Sequence, residues 1–141
     1  MKRDIDFNPV EGVYLAVVPD QEATTLGTDS QPVWTVYLLN GNAFALETVL
    51  VSAEGYGTQP SGEAVRTSTL RYHFAQVGAQ SATPIELIDP AVFHLTNQYW
   101  VSYYVGTQVF DKKFIFVPGA IEAQNLSSLA LLDGQAGVLH S

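Results

Sequence analysis

Few residues in this sequence have the type and spacing that chemistry needs. The three histidines, His73, His94 and His140, lie far apart in the chain, and there is no cysteine. No histidine sits at close metal-ligand spacing with another, so no local zinc motif is present. No phosphate-cradling Gly-Lys loop, dinucleotide fingerprint or His-Glu-x-x-His helix occurs, and no Gly-x-Ser-x-Gly elbow. Acid–base catalysis requires a positioned pair of groups, and no local pair is present. Acids such as Glu54 and Asp89 would have to be gathered by the fold. The sequence therefore gives no catalytic residue, no metal ligand and no cofactor, and leans away from an enzyme.

The aromatic and basic residues carry more promise. Glu54 to His73 holds the glycine-bracketed Tyr56, Arg66, Arg71 and His73. A tyrosine beside two arginines suits a planar or acidic ligand through stacking and forked hydrogen bonds. The plainer reading weighs more: the glycines permit a turn, Tyr56 closes the end of the core, and the arginines pair with surplus carboxylates at little energetic gain. In Asn97 to Val105, Tyr99, Val101, Tyr103 and Val105 fall on one face of a strand and Trp100, Ser102 and Tyr104 on the other. One face must be core. If the second is also covered, a loop, a helix or another subunit must cover it, and Trp and Tyr are favoured in such contacts. Binding candidates for a ligand or protein partner are thus Tyr56, Arg66, Arg71, His73, Trp100 and Tyr104, with self-association through the Trp100 face as a lesser expectation. Asp111-Lys112-Lys113 reads as a solvated hairpin tip or bulge.

The elements that must position these residues are short strands. Val13 to Val18 is a near-continuous apolar run bounded by Gly12 and Pro19, which predicts a buried strand. Gln21 to Pro32 is polar and predicts a long, mobile loop. Val33 to Leu39 is rich in β-formers. Asn40-Gly41 then predicts a tight turn pairing it with Glu47 to Ala53 as a hairpin, and Glu54 to Gly62 follows as a loop. Arg66 to Val77 alternates cleanly and is read as a strand over a helix. Pro84 to Ile88 is a short strand near a sheet edge, because Pro84 has no N–H to donate. Gln108 to Val117 is apolar on either side of its charged centre, and the segment from Ile121 onward is either a short helix or a small hairpin around Asp133-Gly134.

About seven strands with turn-rich links and no long amphipathic helix predict an immunoglobulin-like antiparallel β-sandwich, with a small β-barrel as the alternative. The length of 141 residues and 47% hydrophobic content fit a single domain spanning 1–141, with 1–10 as a peripheral N-terminal arm. Six cations against fourteen acids give a formal charge of −8. That balance argues against nucleic acid and against anionic membrane surfaces. No apolar stretch is long enough to span a bilayer as a helix and the N-terminus has no signal-peptide pattern, so a cytoplasmic location is expected, with a removed leader left open.

The stretches VWTVYLLN (33–40), ETVLVSAEGYG (47–57), RTSTLRYHF (66–74), NQYWVSYYVG (97–106) and DKKFIFVPG (111–119) resemble a family of short, uncharacterised proteins from Bacteroidetes. Some of that family bear the label phenylalanyl-tRNA synthetase subunit. A synthetase catalytic domain implies a much larger mixed α/β fold with arginine-bearing ATP motifs. No residue here matches such a motif, so the resemblance carries over no catalytic residue. The leading expectation is a non-enzymatic interaction or structural module. A small-ligand or carbohydrate-binding domain comes next, expected to show a concave pocket lined by some of Tyr56, Arg66, Arg71, Tyr99 and Trp100. An enzyme with titratable groups converging in a cleft comes last.

Overall fold

A computed structural model describes residues 10–20 and 31–141. The expected N-terminal arm and the loop after β1 lie almost wholly outside those residues. The described chain forms β1 (Val13–Pro19), β2 (Trp34–Asn40), β3 (Leu46–Thr58), β4 (Ala64–Arg66) and β5 (Leu70–Val77), then β6 (Ser81–Ile88), β7 (Thr96–Val105), β8 (Gln108–Phe116), β9 (Ser127–Leu129) and β10 (Gln135–His140). Single 3-10 turns stand at Pro90–Val92, Ala123–Asn125 and Ala130–Leu132.

Two antiparallel sheets stack face to face. The first runs β6-β2-β1-β10-β9. In the second, β4 and β5 follow one another along one side of β3, and β7 and β8 lie on its other side. The expected antiparallel β-sandwich is therefore the architecture, and the sheets do not close into a barrel. Ten strands replace the expected seven or so.

The core lies between the sheets. Val13, Leu15, Val17, Val36, Leu38 and Val138 from the first sheet meet Leu46, Val49, Val51, Tyr99, Val101, Tyr103, Phe114 and Phe116 from the second. The first sheet is also covered over part of its outer face, while Leu139 and Leu87 stay exposed. Leu129, with Leu131 and Leu132 beside it, folds over Ala16, Val18 and Leu39. Burial from both sides explains why β1 reads as a continuous apolar run rather than an alternating one. Gly137 makes this cover possible: a Cβ there would stand 2.7 Å from Leu129 Cδ1 and 2.8 Å from Val18 Cγ2.

Four sequence expectations need correction. First, β2 and β3 are not a hairpin. β2 pairs with β1 and β6, and the chain crosses to the other sheet after Asn40. Neither Asn40 nor Gly41 takes the positive φ that a type I′ turn demands. The Asn40 amide instead donates to Phe44 O (2.9 Å) and Gly78 O (3.0 Å), and its carbonyl accepts from Asn42 N (3.0 Å), which stitches the crossover to the β5–β6 corner. Second, β3 does not stop at Ala53. It continues through Gly55-Tyr56-Gly57 to Thr58 because β4 and β7 pair with that extension. Third, Asp111-Lys112-Lys113 is neither turn nor bulge. It lies mid-strand in β8, in unbroken register with Ser102, Val101 and Trp100 of β7. Fourth, the segment read as one strand from Arg66 to Val77 is split: β4 ends at Arg66 and β5 begins at Leu70, with Thr67 between them bonded to Gly55. The open alternative at the C-terminus resolves as a hairpin: β9 and β10 flank Asp133-Gly134, and both residues take positive φ.

Two further strand readings fit. β5 is a strand, and β6 lies at a sheet edge. Pro84 sits beside an irregularity where the β2–β6 register slips between Val36 and Tyr37, a position that tolerates a missing donor.

Candidate interaction face

Strand alternation fixes which side chains leave the second sheet. With Val49, Val51, Tyr99, Val101 and Tyr103 buried inward, their neighbours Leu50, Ser52, Trp100, Ser102 and Tyr104 point outward. Register then aligns cross-strand rows on this outer face. One row is His73–Leu50–Ser102–Asp111, and the next is Arg71–Ser52–Trp100–Lys113. Above and below them come Gln76–Glu47–Tyr104–Val109 and Glu54–Gln98–Ile115. Tyr56 and Arg66 are paired at the β3–β4 end.

The fold thus brings all six sequence candidates, Tyr56, Arg66, Arg71, His73, Trp100 and Tyr104, onto one sheet face. It does not gather them into one pocket. Tyr99, expected beside them, points into the core and is only 2% exposed. Arg66 sits at the rim, with Nη1 3.2 Å from Glu54 Oε2 and its guanidinium 5.6 Å from the centre of the Tyr56 ring. This is the plainer of the two readings for Arg66. Tyr56 does not close the core; it lies outward under that guanidinium.

Large apolar side chains stand exposed among the polar ones on this face. Leu50 is 49% exposed, Trp100 45% and Tyr104 43%, with Val109 and Ile115 exposed beside them. Leu50 lies diagonally across from both Trp100 and Tyr104, and Val109 stands directly opposite Tyr104, so these side chains form one patch rather than isolated spots. Trp100 is held in place: its indole N–H donates to Asp111 Oδ1, and Lys113 Nζ lies 5.0 Å from its ring centre. A shallow dip of about 300 Å³ opens next to it, lined by Leu50, Ser52, Arg71, Trp100 and Ser102 among others. Among the described residues Arg71 has no hydrogen-bond or ion-pair partner, in a chain whose formal charge is −8.

The sheet edges bordering this face are blocked. β8 is a regular nine-residue edge, the kind that invites an added strand. Its Lys112 points inward toward the core side, with Nζ 4.9 Å from the Phe114 ring centre. Adding a strand there would bury that ammonium. His140, wedged edge-on against Phe114 and Phe116, accepts the outward N–H of Ile115 at 3.3 Å. The opposite edge is broken between β4 and β5, where Thr67 binds Gly55 through its backbone and its hydroxyl.

Sequence reasoning missed a second cluster of polar groups. Glu86, on the edge strand β6, accepts Tyr72 Oη and Tyr99 Oη, each at 2.6 Å. The two tyrosines come from the opposite sheet, so the carboxylate clamps the open side of the sandwich. Burial, reinforced by the Glu86 charge and hydrogen bond, pushes both phenols well above the ordinary tyrosine range. Burial alone pushes Tyr103 up to about 12. A cleft of about 330 Å³ lies beside the clamp, with Glu54, Glu86 and Asp89 on its wall. Each of these acids has local work: Glu54 holds Arg66 and Thr69, Glu86 holds the tyrosines, and Asp89 caps the 3-10 turn through Ala91 N at 2.9 Å. The local hint of the clamp is a glutamate within the apolar run Pro84 to Ile88; its partners lie 13 and 14 residues away in sequence.

Among the described residues, no group of three or more His, Cys, Asp or Glu is arranged to hold a metal ion, and no helix is long and apolar enough to cross a membrane. The histidines stay apart: His73 lies on the outer face opposite Leu50, His94 contacts Gln59, and His140 sits at the β8 edge. No protein-family model matches this chain, and no curated protein matches it at a significant level.

Proposed function

We propose that this domain is a non-enzymatic protein-interaction module and that the outer face of the β3–β5–β7–β8 sheet is its docking surface. One observation carries the reading: Leu50, Trp100, Tyr104 and Val109 are large apolar side chains exposed next to one another on this sheet, while the outer face of the other sheet is covered in part by its own chain, over Ala16, Val18 and Leu39. Contiguous apolar patches rimmed by polar groups mark association surfaces. The rim here is Arg66, Arg71, Glu47, Glu54 and Lys113, around aromatic anchors of the kind that dominate interface energetics. Because the edges are blocked, the partner packs on the face rather than extending the sheet. The strongly acidic balance of the chain disfavours nucleic acid and anionic membranes as that partner.

A photo-reactive amino acid replacing Tyr104, with the same substitution at exposed Leu139 on the other sheet as control, tests this in living cells. Crosslinks to protein from position 104 and not from 139 support the reading. An absence of crosslinks at 104, or equal crosslinking at both sites, refutes it. A second reading, binding of a small acidic planar ligand, draws on the dip beside Trp100 and on Arg71, which has no partner among the described residues. It requires an Arg71→Met variant to lose ligand-induced change in Trp100 fluorescence.

A further inference from the structure

We infer that the occupant of this face is a second copy of the same chain, related by a two-fold axis; this rests on the interaction reading above. The first argument is charge. Three of the six cations in the sequence, Arg66, Arg71 and Lys113, lie on this face, matched there by three acids, Glu47, Glu54 and Asp111. The rest of the sequence then has three cations against eleven acids, and so carries the whole formal charge of −8. Two identical chains that each bear this charge repel one another through their other surfaces. On this face each copy presents a locally neutral surface containing both signs, which an isologous contact can match against itself.

The second argument is area. Four strands about 4.8 Å apart and roughly nine residues long, at about 3.3 Å per residue, span a face of about 19 by 30 Å. Covering it on both copies removes on the order of 1,100 Å² from water, which passes the lower bound of roughly 1,000 Å² for a specific interface. The third argument is the Arg71 guanidinium. The acids on the face are already engaged within the chain: Glu54 by Arg66, Glu47 by Gln76 and Asp111 by Trp100. Each of those carboxylates keeps acceptor capacity for a second donor. A facing copy supplies such a carboxylate to Arg71, whose own chain leaves it without one among the described residues.

Light scattering coupled to size exclusion tests the inference on the full chain, with Leu50→Glu, Trp100→Glu and Arg71→Glu variants run alongside. All three positions are outward-facing, and circular dichroism with thermal melting confirms folding of each. The wild type is expected at twice the chain mass of 15.3 kDa, with at least a tenfold weaker association in every variant. Arg71→Glu turns a neutral face into one with two excess negative charges. A wild type that stays at the single-chain mass up to millimolar concentration overturns self-association. A dimer unaffected by all three substitutions overturns it too, since the contact then lies elsewhere. Position-104 crosslinking separates the two levels of the reading. Crosslinks whose mass is not that of two copies defeat the second-copy inference and leave the docking face standing, whereas their absence defeats the docking face itself.

Discussion

Removing one hydroxyl from the Glu86 clamp gives a prediction with a definite size. Tyr99→Phe keeps the ring, and so the edge-on packing against Phe116, but deletes the 2.6 Å hydrogen bond to Glu86. A hydrogen bond to a charged acceptor contributes about 1.5–3 kcal/mol. Glu86 is only partly buried and keeps Tyr72 as a donor, so the lower part of that range applies, about 1.5–2 kcal/mol. Unfolding entropy near 2.1 cal/mol/K per residue gives about 0.3 kcal/mol/K for this chain, so the melting temperature should fall by about 5–7 °C. Tyr104→Phe, on the outer face, should move stability by less than about 0.5 kcal/mol. pH adds a second check. The folded-state pKa of Tyr99 lies above its ordinary value of 10.0, so the fold favours the protonated phenol. That contribution is complete below pH 10 and is lost as pH rises from there through the raised folded value. The wild type therefore loses stability in alkali that Tyr99→Phe has no phenol to lose, and the gap between them narrows. Urea denaturation at pH 8 and pH 11 measures both gaps. A gap below about 0.5 kcal/mol at pH 8 would refute the clamp, and one that does not narrow by pH 11 would refute the account of the phenol.

Two further predictions follow from packing and from the guarded edge. Gly137→Ala should cost about 1–3 kcal/mol by forcing Leu129 and Val18 apart; a denaturation midpoint within error of wild type would show that the cover over the first sheet adapts freely. Lys112→Val should leave the melting temperature at or above that of the wild type, yet speed the growth of thioflavin-positive aggregates, because it removes the ammonium from the β8 edge. Unchanged aggregation would mean that His140 alone suffices to block the edge.

Much of this fold was legible because it rests on short-range alternation. β1, β2, β5 and β7 were readable from apolar spacing, and the edge position of β6 from Pro84. The outward set of Trp100, Ser102 and Tyr104 followed from the two-residue period alone. Pairing was not legible, because it depends on partners distant in sequence. Asn40-Gly41 is a strong local hairpin signal, yet the Asn40 amide is satisfied by carbonyls at Phe44 and Gly78, and the chain changes sheets. The extension of β3 through two glycines holds because β4 and β7 flank it. The charged triplet in β8 looked like a break because its inward lysine is unusual; the outward Asp111 and Lys113 obey the alternation and engage Trp100. Six residues of the candidate face were named from sequence; Leu50, Val109 and Ile115 were not, and the unity of the face came only from register.

The central claim, that the Trp100 face is covered by a partner surface, is tested most directly by Trp100 fluorescence in a Trp34→Phe chain, which leaves a single indole. Emission recorded as concentration rises should start at the long wavelength of a solvated indole and move to shorter wavelength, with acrylamide quenching falling in step with the increase in mass. A doubling of mass with unchanged emission and quenching would contradict the claim, because the contact would then leave Trp100 in water.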